Sequence, residues 1–396
     1  VTEETVQKSL PVLRQPASGV PSIIDTPEGL AGAIEAMSSL TTPVAIDTER
    51  AQGFRYDGSA RLVQIKRPGA GIFLIDSEAL SDLRPLADVL DSPWIFHAPG
   101  GDLLPLAELG MVPPSLFDTE LAARLTGVES FSLRGVCEAV LGVSLDKSHQ
   151  NEDWSLRPLP TDWLRYAALD VELLPQLREA LLARLEALGR LDWAEQEFGY
   201  LLTHPNVPKA NIWQNLKGVS RAKKPEQLAI VQELWNTREI LAEELDIAPS
   251  RLLSSAGIIA AALTNPGTRR KMQNIEEFRR PRARAHTDRW WTAIRRAQEL
   301  PREERPTLDT HREGPPPARF WKRQDPKAFE RLQKVREAVT KVADSLKLAP
   351  EIVLEPRVQR ILAWDEPRNT EETLVLADAR PWQIEQVLPE LVAIEG

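Results

Sequence analysis

A chain of 396 residues with 27% charged and 42% hydrophobic residues and a net charge of −9 has the balance of a folded protein of two or three domains, which excludes a disordered one. Its single cysteine, Cys137, excludes an intrachain disulfide, and with five scattered histidines a zinc site lacks partners; any metal must be held mainly by carboxylates, which favours magnesium or manganese. No apolar run approaches a membrane span, and the first residues lack a basic stretch followed by an apolar one, so a cytoplasmic protein with no membrane partner is expected.

Residues 1–22 carry Pro11, Pro16 and Pro21 with little periodicity and read as an extended arm. From there to about 205, helical spacing predicts helices over 28–39, 81–90, 101–109, 118–126, 132–141 and 161–188. Strands are expected at "VAIDTE" (44–49), "RLVQIK" (61–66), "IFLID" (72–76) and "WIFH" (94–97). The first three follow closely through Gly-containing connections, as in an antiparallel meander, and the fourth lies between helices, as in a parallel crossover. The expectation is an α/β domain with a mixed sheet over 23–205. A Pro-, Asn- and Lys-rich break at 203–225 ends it, 220–300 is helical, and a second break at 301–317 ends in "GPPP" before helices resume over 318–396. The two all-helical parts repeat at a spacing of 101, with Leu245, Pro249 and Leu253 matching Leu346, Pro350 and Leu354, and each follows a helix containing Arg-Glu (Arg238-Glu239, Arg336-Glu337).

Charge is unevenly shared. Residues 1–210 hold 17 basic and 30 acidic residues, whereas 269–305 holds 12 basic and 6 acidic, including Arg279, Arg280, Arg282 and Arg284. An acidic front followed by a basic segment is compatible with a nucleic acid held by one part and worked on by another, and equally with a solvated helix face. Trp290 and Trp291 beside Arg289, Arg295 and Arg296 suit base stacking and phosphate pairing, or a small helical core. No G-x-x-x-x-G-K-[ST] loop occurs, so neither a motor nor a nucleotide cofactor is expected.

Strand alternation sends Asp47 and Glu49 to one face, where like charges repel unless a cation lies between them or the face is open to solvent. Asp102 begins a helix after a Gly-containing turn, a position that N-capping explains on its own. Thr161 is a plausible N-cap for the next helix of interest, in which Tyr166 and Asp170 are i and i+4, about 5–6 Å apart at Cβ, with a mild kink expected at Pro175. Each motif has a plain structural reading. Together they supply four carboxylates and a phenol from one strand and two helices, a set suited to a pair of divalent ions in phosphodiester hydrolysis.

With "AIDTE", "FHAPGGDL", "LFDTELAARL" and above all "LDKSHQNEDWSLRPLPTDWLRYAALDVELL", residues 23–205 resemble the exonuclease domain of the DEDD superfamily in its tyrosine-bearing branch, the ribonuclease D family being the nearest likeness. The helical parts, 220–300 and 318–396, resemble paired HRDC domains. The resemblance implies a ribonuclease H-like fold and a 3′→5′ exoribonuclease that releases nucleoside 5′-monophosphates with two Mg²⁺ or Mn²⁺ ions. It implies Asp47, Glu49, Asp102 and Asp170 as metal ligands, Tyr166 as guide for the attacking water, and an RNA with a free 3′ end, transfer RNA precursors among them, as partner. Gln64, His97, Trp154 and Arg157 are conjectural substrate or scaffold contacts, and Asp118 is expected to hold a helix start. Relatives often carry Asn where this chain has Ala98, and the "PGG" before Asp102 is looser than usual. Three linked domains suffice to enclose RNA as a monomer. A DNA 3′→5′ exonuclease and a non-catalytic RNA-binding scaffold are the alternatives, the second opposed by the presence of every acid.

Overall fold

The computed structural model describes residues 10–146, 152–206, 212–308, 314–365 and 369–394. Eight strands occur among them: β1 (Val12–Leu13), β2 (Ile23–Ile24), β3 (Val44–Arg50), β4 (Ala60–Arg67), β5 (Gly71–Asp76), β6 (Trp94–Phe96), β7 (Leu116–Asp118) and β8 (Ser144–Leu145). Six of them form a mixed sheet in the order β2-β5-β4-β3-β6-β7. The meander of β3, β4 and β5 is antiparallel and β6 joins β3 in parallel, as the short and long connections dictate. The strand β7 lies where helical spacing begins a helix at residue 118; three residues are too few for alternation to register.

Helices cover the sheet, and the one over 161–188 is two. Pro175 has no N–H to offer the Val171 carbonyl, so a helix Thr161–Glu172 ends and a second, Leu174–Ala187, begins at the Leu173 joint. The N-cap is Pro160, with Thr161 already helical. The stretch 81–90 shortens to Arg84–Ala87, and a helix Leu191–Thr203 extends the domain. From residue 10 onward the arm is tied down. Val12 and Leu13 pair with Ser144 and Leu145, and the Ala17 N–H donates to Glu172 Oε1 at 3.3 Å. Residues 1–9 of the arm, 147–151 of the long motif, and 207–211 and 309–313 of the breaks lie outside the described residues.

The helical duplication extends to every boundary of three helices. Pro225–Leu245, Pro249–Leu252 and Ser255–Thr264 recur 101 residues later as Pro326–Leu346, Pro350–Val353 and Pro356–Asp365. The joints repeat too, Asp246 and Lys347 both being left-handed, with φ of 47° and 55°. Arg238-Glu239 is not part of the repeat, since Val339 stands 101 residues after Arg238. Trp290 fills the core of the first unit, its Nε1 donating to the Ala283 carbonyl at 2.8 Å.

The two units dock differently. In the first, Arg55 pairs with Asp246 at 3.0 Å, the Ala248 N–H donates to the Phe54 carbonyl at 3.0 Å, and Arg251 lies 3.9 Å over the Phe54 ring. All of these fall on the loop that follows β3. In the second, Trp382 stacks on Trp193 at 4.6 Å, and Arg380 Nε and Trp382 Nε1 both donate to Glu197 Oε1 at 2.8 Å. Trp382 is so deeply seated that it belongs to the core of the N-terminal domain.

Candidate active site

Asp47 and Glu49 project from β3 toward the helix Thr161–Glu172, which crosses that face of the sheet. A pleat places both acids there, and one turn of helix places Tyr166 above Asp170. Carboxylate oxygens of Asp47, Glu49 and Asp170 all lie within 4.8 Å of one another. The Tyr166 hydroxyl donates to Asp170. Asp102 does begin its helix, Leu103–Glu108, but its side chain makes no capping bond. It accepts from Thr48 Oγ1 at 2.5 Å and stands 3.9 Å from Arg50 Nη2. Capping therefore does not account for Asp102. The fourth acid sits beside the trio without joining it.

Burial and neighbouring carboxylates hold Asp47 and Glu49 well above the usual carboxylate range. Burial likewise raises Asp102 and brings Asp170 up to about 7. Burial, then the charges of Asp170, Glu49 and Asp47, push the Tyr166 hydroxyl upward, so it stays neutral. Converging hard oxygen donors that resist ionising together are the donor set a divalent cation stabilises. The residues present fit such a cation.

A cavity of about 360 Å³ opens beside the trio, lined among others by Asp47, His97, Ala98, Phe131, Tyr166 and Asp170. His97 Nε2 donates to the Phe131 carbonyl at 2.9 Å, which leaves the lone pair of a neutral ring on Nδ1, 2.9 Å from Thr119 Oγ1. Burial lowers its pKa, in keeping with that neutral form. Ala98 has φ of 60°, a left-handed geometry that Asn tolerates better than Ala. Its N–H donates to Asp118 Oδ1 at 2.9 Å, and the same oxygen accepts the Glu120 N–H at 2.8 Å. Asp118 thus caps the next helix, as expected.

Three of the four conjectural contacts are not among the residues that line the cavity. Arg157 uses all five donors: two on Asp76 at 2.6 Å each, and three on the carbonyls of Trp154, Leu156 and Arg61. It clamps the Trp154 loop to the end of β5. Trp154 is 1% exposed and packs on Trp163 and Tyr166, with centroids 5.3 and 6.4 Å away. Gln64, the cross-strand neighbour of Asp47, is fully buried. Only His97 of the four lines the cavity.

A family model described as 3'-5' exonuclease matches residues 21–186, one described as HRDC domain matches 227–294, and one described as 3' to 5' exonuclease C-terminal domain matches 314–394. Ribonuclease D of Gluconacetobacter diazotrophicus is 30% identical over 308 residues, covering 75% of this chain and 77% of that protein. The chain belongs to the ribonuclease D family. It is a 3′→5′ exoribonuclease. A crystal structure of a protein from Bifidobacterium adolescentis is similar with a TM-score of 0.90 and 36% identity, covering 98% of this chain and all of that one. Escherichia coli RNase D is similar at 0.69 and 25%, covering 94% and 97%. Within this ribonuclease D frame, sequence reading missed Thr48 and Arg50, because alternation sends them to the face away from Asp47. Their proximity to Asp102 is visible only in three dimensions. No helix among the described residues is long and apolar enough to cross a membrane.

Proposed function

We propose that Asp47, Glu49, Asp102 and Asp170 hold two divalent cations, magnesium or manganese. The enzyme then removes nucleoside 5′-monophosphates from the free 3′ end of structured RNA, transfer RNA precursors included. The observation that carries this reading is the meeting of three carboxylates within 4.8 Å, with Tyr166 bonded to one of them. Divalent ions held there would neutralise the phosphate and make water a stronger nucleophile. Tyr166, kept neutral, orients that water through its hydroxyl while Asp170 fixes the direction of the phenol. His97, Phe131 and Ala98 shape the cavity that takes the terminal nucleotide. The Escherichia coli relative is an exoribonuclease involved in structured RNA processing, which favours a folded substrate.

The basic segment suits the body of such an RNA. Five of its arginines are engaged in ion pairs, Arg269, Arg289, Arg295, Arg296 and Arg305 with Asp288, Glu244, Glu299, Glu233 and Glu226. Arg279, Arg280, Arg282 and Arg284 stand exposed at the corner of two short helices, where phosphates can reach them. One chain supplies every group named, so a monomer suffices.

The test uses 5′-labelled RNA and DNA of one sequence with Mg²⁺ or Mn²⁺. Stepwise shortening of RNA, lost in Asp47→Ala and in chelator, is expected; faster shortening of DNA would overturn the substrate reading. A transfer RNA precursor with a 3′ extension should be trimmed to the edge of its folded part, and degradation straight through it would count against maturation.

A further inference from the structure

Arg50 follows Glu49 directly, yet no hydrogen bond donated by its guanidinium is found among the described residues. Arg50 Nη2 stands 3.9 Å from Asp102, beside a register shift at Glu49/Arg50 that leaves Arg61 of β4 unpaired in the ladder, and the Arg50 side chain is 26% exposed. Its charge acts on Asp47, Glu49 and Asp102 alike. The guanidinium rests on Gly101: a Cβ there would lie 2.5 Å from Arg50 Nη2 and 2.9 Å from Nη1. The loose "PGG" before Asp102 thereby gains a physical purpose, since glycine makes room for a planar cation beside the acids.

A charge count says what that cation is for. Four carboxylates are balanced by two divalent cations, but the phosphodiester adds one negative charge and its transition state another. An arginine fork with unused donors matches two phosphate oxygens. We propose that Arg50 is a phosphate-binding catalytic residue, its guanidinium pairing with non-bridging oxygens of the phosphodiester being hydrolysed, in a seat that Gly101 keeps open. Without substrate it faces Asp102. Once the Asp102 charge is shared with a cation, Arg50 turns to the phosphate. The proposal rests on the reading of the four acids as cation ligands.

The experiment separates the two. Calorimetry with Mn²⁺ is run on wild type, Asp47→Asn and Arg50→Ala, and steady-state hydrolysis of a short RNA on wild type, Arg50→Ala, Arg50→Lys, Gly101→Ala and Arg50→Ala/Gly101→Ala. If wild type binds no Mn²⁺, or Asp47→Asn binds it unchanged, the four-acid reading fails. With that binding in place, Arg50→Ala is expected to bind Mn²⁺ as tightly or more tightly, since a competing cation has gone. Its kcat should drop about 100- to 1000-fold, the range for a lost transition-state donor. Millimolar guanidinium should recover part of that loss, and Arg50→Lys should retain more than Arg50→Ala. Gly101→Ala should slow the wild type and change nothing further in the Arg50→Ala background. Weaker Mn²⁺ binding in Arg50→Ala would make Arg50 a prop for Asp102 and overturn the proposal; so would a kcat within threefold of wild type, or no response to guanidinium.

Discussion

Replacing Asp47 by Asn should abolish activity and, in chelator, make the protein more stable. Oxygens within 4.8 Å of one another, taken at that outer distance and an effective dielectric of about 20, repel by about 3.5 kcal/mol per ionised pair. Asp47 faces two such partners, Glu49 and Asp170, and the fold avoids the full cost by leaving protons on the acids. Burial and repulsion raise Asp47 and Glu49, and burial brings Asp170 up to about 7. Holding a proton against neutral pH also costs free energy, about 1.4 kcal/mol for each pH unit. The sign follows from linkage: folded pKa values above the unfolded ones give stability that is complete below about pH 4 and lost as pH rises toward 7 and beyond. Asn removes one of the interacting groups, so a gain of about 2–4 kcal/mol is expected at pH 8, shrinking below about 1 kcal/mol at pH 4.5. Urea unfolding in EDTA at both pH values, followed by tryptophan fluorescence with hydrogen exchange in β3, measures it. Adding Mg²⁺ at pH 8 should stabilise wild type more than the variant and narrow the gap. A variant less stable than wild type at pH 8, or an equal gain at both pH values, would refute the claim that the carboxylates strain one another.

Tyr166→Phe keeps the ring against Trp154 and loses only the hydroxyl, so kcat should fall about 10- to 1000-fold while Mn²⁺ affinity by calorimetry stays within about twofold. Arg157→Ala strands Asp76, 5% exposed, without its bidentate partner; a loss of about 3–5 kcal/mol in urea unfolding is expected, with faster hydrogen exchange at Trp154. Glu197→Gln removes the charge that Arg380 and Trp382 share, and should cost about 1–3 kcal/mol and expose the Trp193–Trp382 stack to fluorescence quenchers, with kcat on a short RNA little changed.

The central sheet and the pairing of the candidate acids were readable because they obey short-range rules. Period-two alternation places Asp47 with Glu49, and helical spacing places Tyr166 with Asp170. The 101-residue repeat was legible from three matched residues because proline and leucine mark the same turn twice. Long-range burial was not. Nothing local in Trp154 tells a closed side chain from an open one; that depends on where the 152–160 loop is clamped, and the clamp joins Arg157 to Asp76 across 81 residues. The same holds for β7, fixed by β6 beside it rather than by its own three residues. For Asp102 the sequence left a capping alternative open: its backbone sits at the helix start, as a cap would, but its carboxylate turns to Thr48.

The two helical units also differ in how deeply their attachments are buried. The pair Arg380–Glu197 has side chains 11% and 9% exposed, and Trp382 is buried with it, so separation would leave charges and an indole without partners. The pair Arg55–Asp246 is 38% and 45% exposed, in the class worth about 0–1 kcal/mol. Water reaches that pair, while the Ala248 N–H and Arg251 add contacts to Phe54. The loop at Ala51–Tyr56 is the direct continuation of Glu49 and Arg50, and Arg55 also holds Ser155, next to Trp154, at 2.7 Å. The first unit carries the exposed arginine corner. The more exposed of the two attachments thus lies between the unit with the exposed arginine corner and the strand that carries Asp47 and Glu49, while the attachment of the second unit is buried.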